Sequence, residues 1–159
     1  MTIREYKTAD KKQVWNLIAE LQDYGAQYEP GMRPGKEMAE GYLEKAILKD
    51  CAEKDGKIFV AEDNNELVGF IWVHLGKEPK DLMYYEPFQS FAYINDFMVT
   101  ESYRGQGVGR DLITSVEEYA KQKGINQLKL HVVPKNDLAR EVYQKMGFEE
   151  DDITLVKKL

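Results

Sequence analysis

Among 159 residues there is one cysteine, Cys51, so no intrachain disulfide can form, and a reducing compartment is expected. No stretch approaches the roughly 20 apolar residues needed to cross a membrane. The start, Met1-Thr2-Ile3-Arg4-Glu5-Tyr6, lacks the apolar run of a secretory leader. A cytoplasmic protein without membrane association is therefore expected. Basic residues are not in excess: 22 Lys and Arg stand against 28 Asp and Glu, a net charge of −6, which argues against nonspecific nucleic-acid binding. No repeat, low-complexity tract or interdomain linker is present. With 43% hydrophobic and 31% charged residues, the composition suits one globular domain over residues 1–159.

What is there alternates between strand and helix patterns. Residues 2–6 read as a strand, and Val14, Leu17, Ile18 and Leu21 form a helical stripe behind a cap at Thr8 or Asp10. Residues 24–35 hold three glycines and two prolines and read as a loop. Met38, Tyr42 and Ala46 mark a second amphipathic helix that ends before Asp55-Gly56. Residues 58–62 and 67–75 read as strands joined by the turn Asp63-Asn64-Asn65-Glu66. A second long loop over residues 76–90 leads into the strand at 93–99. The order is β, α, α, β, β, β, α, β, α, β, with a last strand at residues 153–157.

The sharpest feature follows the strand at 93–99. Arg104-Gly105-Gln106-Gly107-Val108-Gly109 opens a helix whose apolar face carries Val108, Leu112, Val116, Tyr119 and Ala120. Three glycines let backbone approach a bulky anion, and a helix N-terminus offers unpaired N–H groups and a favourable dipole. A Walker loop would need Lys and Ser or Thr after its last glycine, whereas Arg110-Asp111 follows here. A Rossmann fingerprint would need a third glycine where Arg110 stands. What remains is R-x-x-G-x-G between a strand and a helix.

Downstream, residues 128–133 read as a strand and Asn136 as an N-cap. Ala139, Val142, Tyr143 and Met146 form a helical face closed by Gly147. Together, R-x-x-G-x-G and the N-x-x-A-x-x-x-Y-x-x-x-G-F of Asn136, Ala139, Tyr143, Gly147 and Phe148 resemble the two motifs of the GCN5-related N-acetyltransferase (GNAT) superfamily. They cover about a third of the chain, in the family's order.

The resemblance implies an α/β fold: a single GNAT-like domain with a mixed, mostly antiparallel sheet and a splayed central parallel strand pair, flanked by helices. It implies acetyl-CoA as co-substrate, with no metal. The main chain of Phe97, Met98 and Val99 would pair with the pantetheine amides. Arg104, Gly105, Gln106, Gly107, Val108, Gly109 and Arg110 would hold the pyrophosphate, and Asn136, Ala139 and Tyr143 would border the coenzyme near its sulfur. The reaction would be direct acetyl transfer to a primary amine of a small molecule or peptide.

Two proton problems then need residues. A departing thiolate of pKa about 8.5 can take a proton from a tyrosine of pKa about 10; the helical pattern alone reads Tyr143 as a packing residue, and it is the resemblance that implies its role as the general acid. An acceptor amine of pKa about 10.4 costs roughly 4 to 5 kcal/mol to deprotonate near neutral pH. Asp96, which interrupts an apolar strand, is the first choice of base, although many relatives carry two consecutive acids where this chain has Asn95-Asp96. Glu62, His74 and His131 are the alternatives. A covalent acetyl-Cys51 is disfavoured, because no histidine lies near it in sequence.

The acceptor is less legible. Aromatics in residues 83–91 and 24–29 suit a lip around an aliphatic amine or cation, or else an interface. Tyr93-Ile94-Asn95-Asp96-Phe97 and Tyr103-Arg104-Gly105 resemble diamine acetyltransferases, which implies small polyamine-like acceptors; aminoglycosides, amino acids and peptides remain open. The short tail after Phe148 and an exposed edge at residues 153–157 point to a homodimer. A noncatalytic acyl-CoA sensor is the alternative function.

Overall fold

The computed structural model describes residues 1–77 and 90–157. In chain order these form β1 (Thr2–Glu5), a 3-10 turn (Thr8–Asp10), α1 (Lys11–Gly25), α2 (Gly35–Tyr42), a π-helical turn (Leu43–Ile47), α3 (Leu48–Glu53), β2 (Lys57–Asp63) and β3 (Glu66–Lys77). They continue with β4 (Ser90–Val99), α4 (Val108–Gln122), β5 (Leu128–Leu130) and α5 (Asp137–Lys145). The five strands lie in sequence order, with β1 to β4 antiparallel and β4 and β5 parallel. This matches the mixed, mostly antiparallel sheet expected from the sequence. No helix among the described residues is long and apolar enough to cross a membrane.

Strand alternation splits the apolar residues between two layers. Phe59, Ala61, Ile71, Val73, Ala92 and Ile94 face α4, where Val108, Leu112, Val116 and Ala120 close the layer. Ile58, Val60, Phe70, Trp72 and Met98 face α1 and the α2 to α3 segment, which contributes Val14, Leu17, Ile18, Ala39, Leu43 and Ile47. The second helix therefore buries Ala39, Leu43 and Ile47 most deeply, and the expected stripe of Met38, Tyr42 and Ala46 flanks it at half burial. That flanking position leaves the Tyr42 side chain free to reach across to β4.

Local chemistry explains several boundaries. Asn64 and Asn65 both have positive φ (49° and 64°), as a two-residue type I′ hairpin between Asp63 and Glu66 requires. Gly147 (φ 91°) closes α5 in a Schellman motif: its N–H bonds Gln144 O and the Phe148 N–H bonds Tyr143 O, both at 3.0 Å. Two expected strands differ. Residues 131–133 are not strand, since β4 veers away after Ile94 and leaves no ladder partner, and Pro134 follows. Residues 153–157 form no strand either, and Ile153, Leu155 and Val156 lie 75%, 90% and 85% exposed. The lip expected at 83–91 falls mostly on residues 83–89, outside the described residues; Phe91 belongs to β4.

A charged knot ties β1, β2 and the start of α1. The Arg4 guanidinium donates to both Asp10 oxygens (2.7 and 2.9 Å) and to Glu62 Oε2 at 2.5 Å. Asp10 stands at the N-cap of α1, but its carboxylate accepts from Arg4 and the Lys7 N–H and does not cap the helix. Arg4 holds the Asp10 carboxyl below its ordinary value. A depressed carboxyl contributes stability above its unfolded value of about 3.9, and that contribution is lost as pH falls through the folded value. Asp10→Asn is expected to cost roughly 3 kcal/mol at neutral pH, with the gap to wild type narrowing near pH 2. Urea unfolding at both pH values checks this.

Candidate active site

The site begins with one extra residue in β4. Trp72 pairs with Asp96 but Val73 pairs with Ile94, so Asn95 is a bulge. A bulge bends a strand and increases its local twist. On the opposite edge, β5 pairs with Ala92, Tyr93 and Ile94 only. β4 then runs on to Val99 with no strand beside that edge among the described residues. A wedge opens between the two parallel strands at their carboxyl ends, where open α/β sheets bind ligands. Phe97, Met98 and Val99 border it with their main chain.

The glycine loop lies at the head of this wedge. Gly105 and Gly107 adopt left-handed backbone (φ 74° and 90°), and Gly107 is the N-cap of α4. A Cβ built at either would meet nothing within 4 Å, so space stands open against the backbone where an anion would sit. Gly109 is different: a Cβ there would come 3.0 Å from Phe97 Cζ, so it lets α4 pack on β4. Val108 is buried and can offer only main chain to a ligand. Gln106 Nε2 donates to Ser102 O at 2.9 Å and fastens the loop. Arg104 turns back: its Nε donates to Val99 O at 2.9 Å, and its guanidinium lies 5.2 Å over the Tyr24 ring. Arg110 lines a groove between α4 and α5 with Lys145 and Met146.

Across the wedge stands α5. Asn136 caps it, its Oδ1 accepting from the Ala139 N–H at 3.2 Å. The Tyr24 hydroxyl approaches the same oxygen at 3.5 Å and lies 3.2 Å from the Tyr28 hydroxyl. Part of the expected acceptor lip thus lies across the mouth of the coenzyme wedge. Tyr143 is held between Phe97 (ring centroids 6.2 Å apart) and Phe148 (5.8 Å). Burial pushes its phenol up to about 12, so it stays protonated across the neutral range.

Asp96 points from β4 to the opposite face, toward α2. Its carboxyl is pushed up to about 6 by burial, partly offset by a hydrogen bond donated by the Tyr42 hydroxyl to Oδ2 at 3.0 Å. Of the alternative bases, Glu62 is occupied by Arg4, and His131 is exposed beyond the end of β5. His74 is the nearest of them in the fold. It shares Asp96's face, stacks on Tyr93 with centroids 5.6 Å apart, and meets the Asn95 amide through Nδ1 at 2.7 Å. Burial holds it below the ordinary imidazole value. Cys51 is half-buried in α3 with its thiol pushed up to about 11 by burial, which leaves little thiolate for acyl exchange. The sequence did not mark Tyr42 as the partner of Asp96, because its helical spacing places it in an apolar stripe. Among the described residues, no three His, Cys, Asp or Glu side chains gather as a metal cage would.

The acetyltransferase (GNAT) family model matches residues 18–148. The uncharacterized N-acetyltransferase YycN of Bacillus subtilis is 36% identical over 97 residues, 61% of this chain and 57% of that protein, so the chain matches little more than half the length of this relative. The thialysine N-epsilon-acetyltransferase of Bos taurus is 40% identical over 58 residues, 36% of this chain and 34% of its own. Among solved structures, a tetramutant of the BH1408 protein from Bacillus halodurans superposes with a TM-score of 0.76 over 100% of both chains at 23% identity.

The loop geometry makes a binding prediction. Gly107→Val strains a left-handed position and puts a branched side chain into the open space beside the backbone. Calorimetric affinity for acetyl-CoA should weaken at least about tenfold, or about 1.4 kcal/mol, in a variant that melts as a folded protein.

Proposed function

This chain belongs to the GNAT acetyltransferase family, and from that premise we propose that it is an acetyl-CoA-dependent enzyme that moves the acetyl group directly onto a primary amine. The observation that carries this reading is the wedge between β4 and β5 with the glycine loop at its head, Tyr143 on the α4 face of β4 and Asp96 on its α2 face. The amine nitrogen forms the new C–N bond as the thioester C–S bond breaks. The amine's surplus proton passes to Asp96, and the departing sulfur receives one from Tyr143. Left-handed glycines and the α4 N-terminus oppose the pyrophosphate charge.

Burial acts on both groups. Moving the Asp96 carboxyl from its ordinary value to about 6 makes the carboxylate a stronger base by about 3 kcal/mol, while most of it stays ionised at neutral pH. The environment that raises the Tyr143 phenol also disfavours a bare thiolate, so both partners in that transfer are destabilised as anions. Small diamines or lysine-like amines are the favoured acceptors. The thialysine-acetylating relative supports this class, as does the carboxylate set among Tyr42, Trp72 and His74 on one face.

Tyr143→Phe should keep acetyl-CoA affinity and lose about 100-fold or more in turnover. A screen of CoA thiol release against polyamines, aminoglycosides, amino acids and peptides reads this directly, and tight coenzyme binding with no amine-dependent release would favour the sensor. The homodimer belongs to the same reading and now rests on the exposed Ile153, Leu155 and Val156, which a second copy would cover. Light scattering at assay concentration should give twice the chain mass; a monomeric mass with full activity removes the dimer.

A further inference from the structure

Tyr42 stands where α2 gives way to the π-helical turn. A π turn inserts an extra residue into a helix and shifts the phase of the side chains around it. Leu43 and Ile47 are fully buried against the sheet. Tyr42, at the edge of that stripe, packs its ring on Trp72 with centroids 6.1 Å apart and an interplanar angle of 78°, and directs its hydroxyl at Asp96. Trp72 is the cross-strand partner of Asp96. A helix and two strands therefore fix one hydrogen bond, and the bulge at Asn95 is what sets Asp96 opposite Trp72.

We infer that Tyr42 is a positioning residue for the acceptor site: it holds Asp96 Oδ2 as a hydrogen-bond acceptor, so that Oδ1 is the oxygen left to take the amine proton. This rests on Asp96 being the base. Tyr42 itself is no proton relay, since burial and the neighbouring carboxylate push its phenol well above the ordinary tyrosine range. Among the described residues, the other ionisable groups near this face have partners of their own. His74 on β3 is turned to Asn95, Asp50 and Lys54 pair with each other on α3 and beyond its end, and Glu20 on α1 meets Thr100. Among the described residues, burial and the Tyr42 bond are what move the Asp96 carboxyl.

The sign of the effect follows. A hydrogen bond donated to the carboxylate favours the ionised form, so removing it must raise the Asp96 value further and carry the acid limb of turnover to higher pH. The test is a carbon-detected NMR titration of the Asp96 carboxyl in protein labelled with 13C-aspartate, without substrate, using Asp96→Asn to assign the resonance. Wild type should titrate near about 6, and Tyr42→Phe, which keeps the ring against Trp72, should titrate at least about half a unit higher. An inflection that stays put or moves down in a folded Tyr42→Phe protein overturns the inference. If the Phe variant does not fold, Tyr42→Met is titrated in its place and judged by the same outcomes. The base assignment fails separately, if Asp96→Asn retains full amine-dependent thiol release; the titration would then still report on the Tyr42 bond.

Discussion

The extra residue at Asn95 is the constraint on which the site depends. A strand in register with both neighbours would spend all its main-chain groups on ladders and leave nothing for a ligand. Here β3 holds one edge of β4 along its whole length, while β5 holds the other through only three residues. The bulge supplies the bend that parts the two strands, and the antiparallel edge keeps the bent strand from collapsing. The same insertion changes the phase of the side chains. Ile94 and Phe97 both face α4 although they are three residues apart, and Asp96 falls on the α2 face between them. Backbone exposure and placement of the carboxylate thus have one cause.

That phase change divides the labour across β4. On the α4 face, Phe97 packs under Gly109 and against Tyr143, so the strand, the helix behind the glycine loop and the tyrosine of α5 share one patch of apolar contact. On the α2 face, Asp96 bonds to Tyr42 and lies opposite Trp72, whose ring neighbours the His74 to Tyr93 stack. The coenzyme side relies on backbone N–H groups and open space, which few side chains can imitate. The acceptor side relies on side chains whose replacement leaves the backbone intact. On the proposed function, substitutions on α2 would alter amine chemistry with little effect on the cradle, whereas those at Gly105 or Gly107 would act the other way round.

Sequence features set by local chemistry were legible. The two asparagines of the β2 to β3 hairpin, the glycines at the start of α4 and the cap and glycine bracketing α5 each impose a backbone geometry that their neighbours cannot override. Their spacing specifies the fold and the family. Features set by register were not legible. Nothing in Tyr93-Ile94-Asn95-Asp96-Phe97 marks Asn95 as unpaired, because a bulge is defined by the opposite strand. Residues 131–133 have strand propensity but no partner, and propensity without a partner makes no ladder. The apolar alternation at 153–157 misled for the same reason.

Tyr42 shows the limit from the other side. Helical spacing groups it with Met38 and Ala46 as one apolar face, and a regular helix through residues 35–53 would keep that grouping. The buried centre instead runs through Ala39, Leu43 and Ile47 at i, i+4 spacing, so Met38, Tyr42 and Ala46 lie beside it and Tyr42 reaches β4. A π turn weakens the regular helical ladder and persists only where packing compensates. Within this turn Leu43 and Ile47 are fully buried, and beside it Tyr42 makes the T-shaped contact with Trp72 and the bond to a buried carboxylate. A buried polar pair of this kind contributes modestly to stability, since satisfying a hydroxyl and a carboxylate mainly avoids the cost of leaving them unpaired. Its larger effect is orientational: it fixes Asp96 Oδ2 against α2, as the proposed proton transfer through Oδ1 requires.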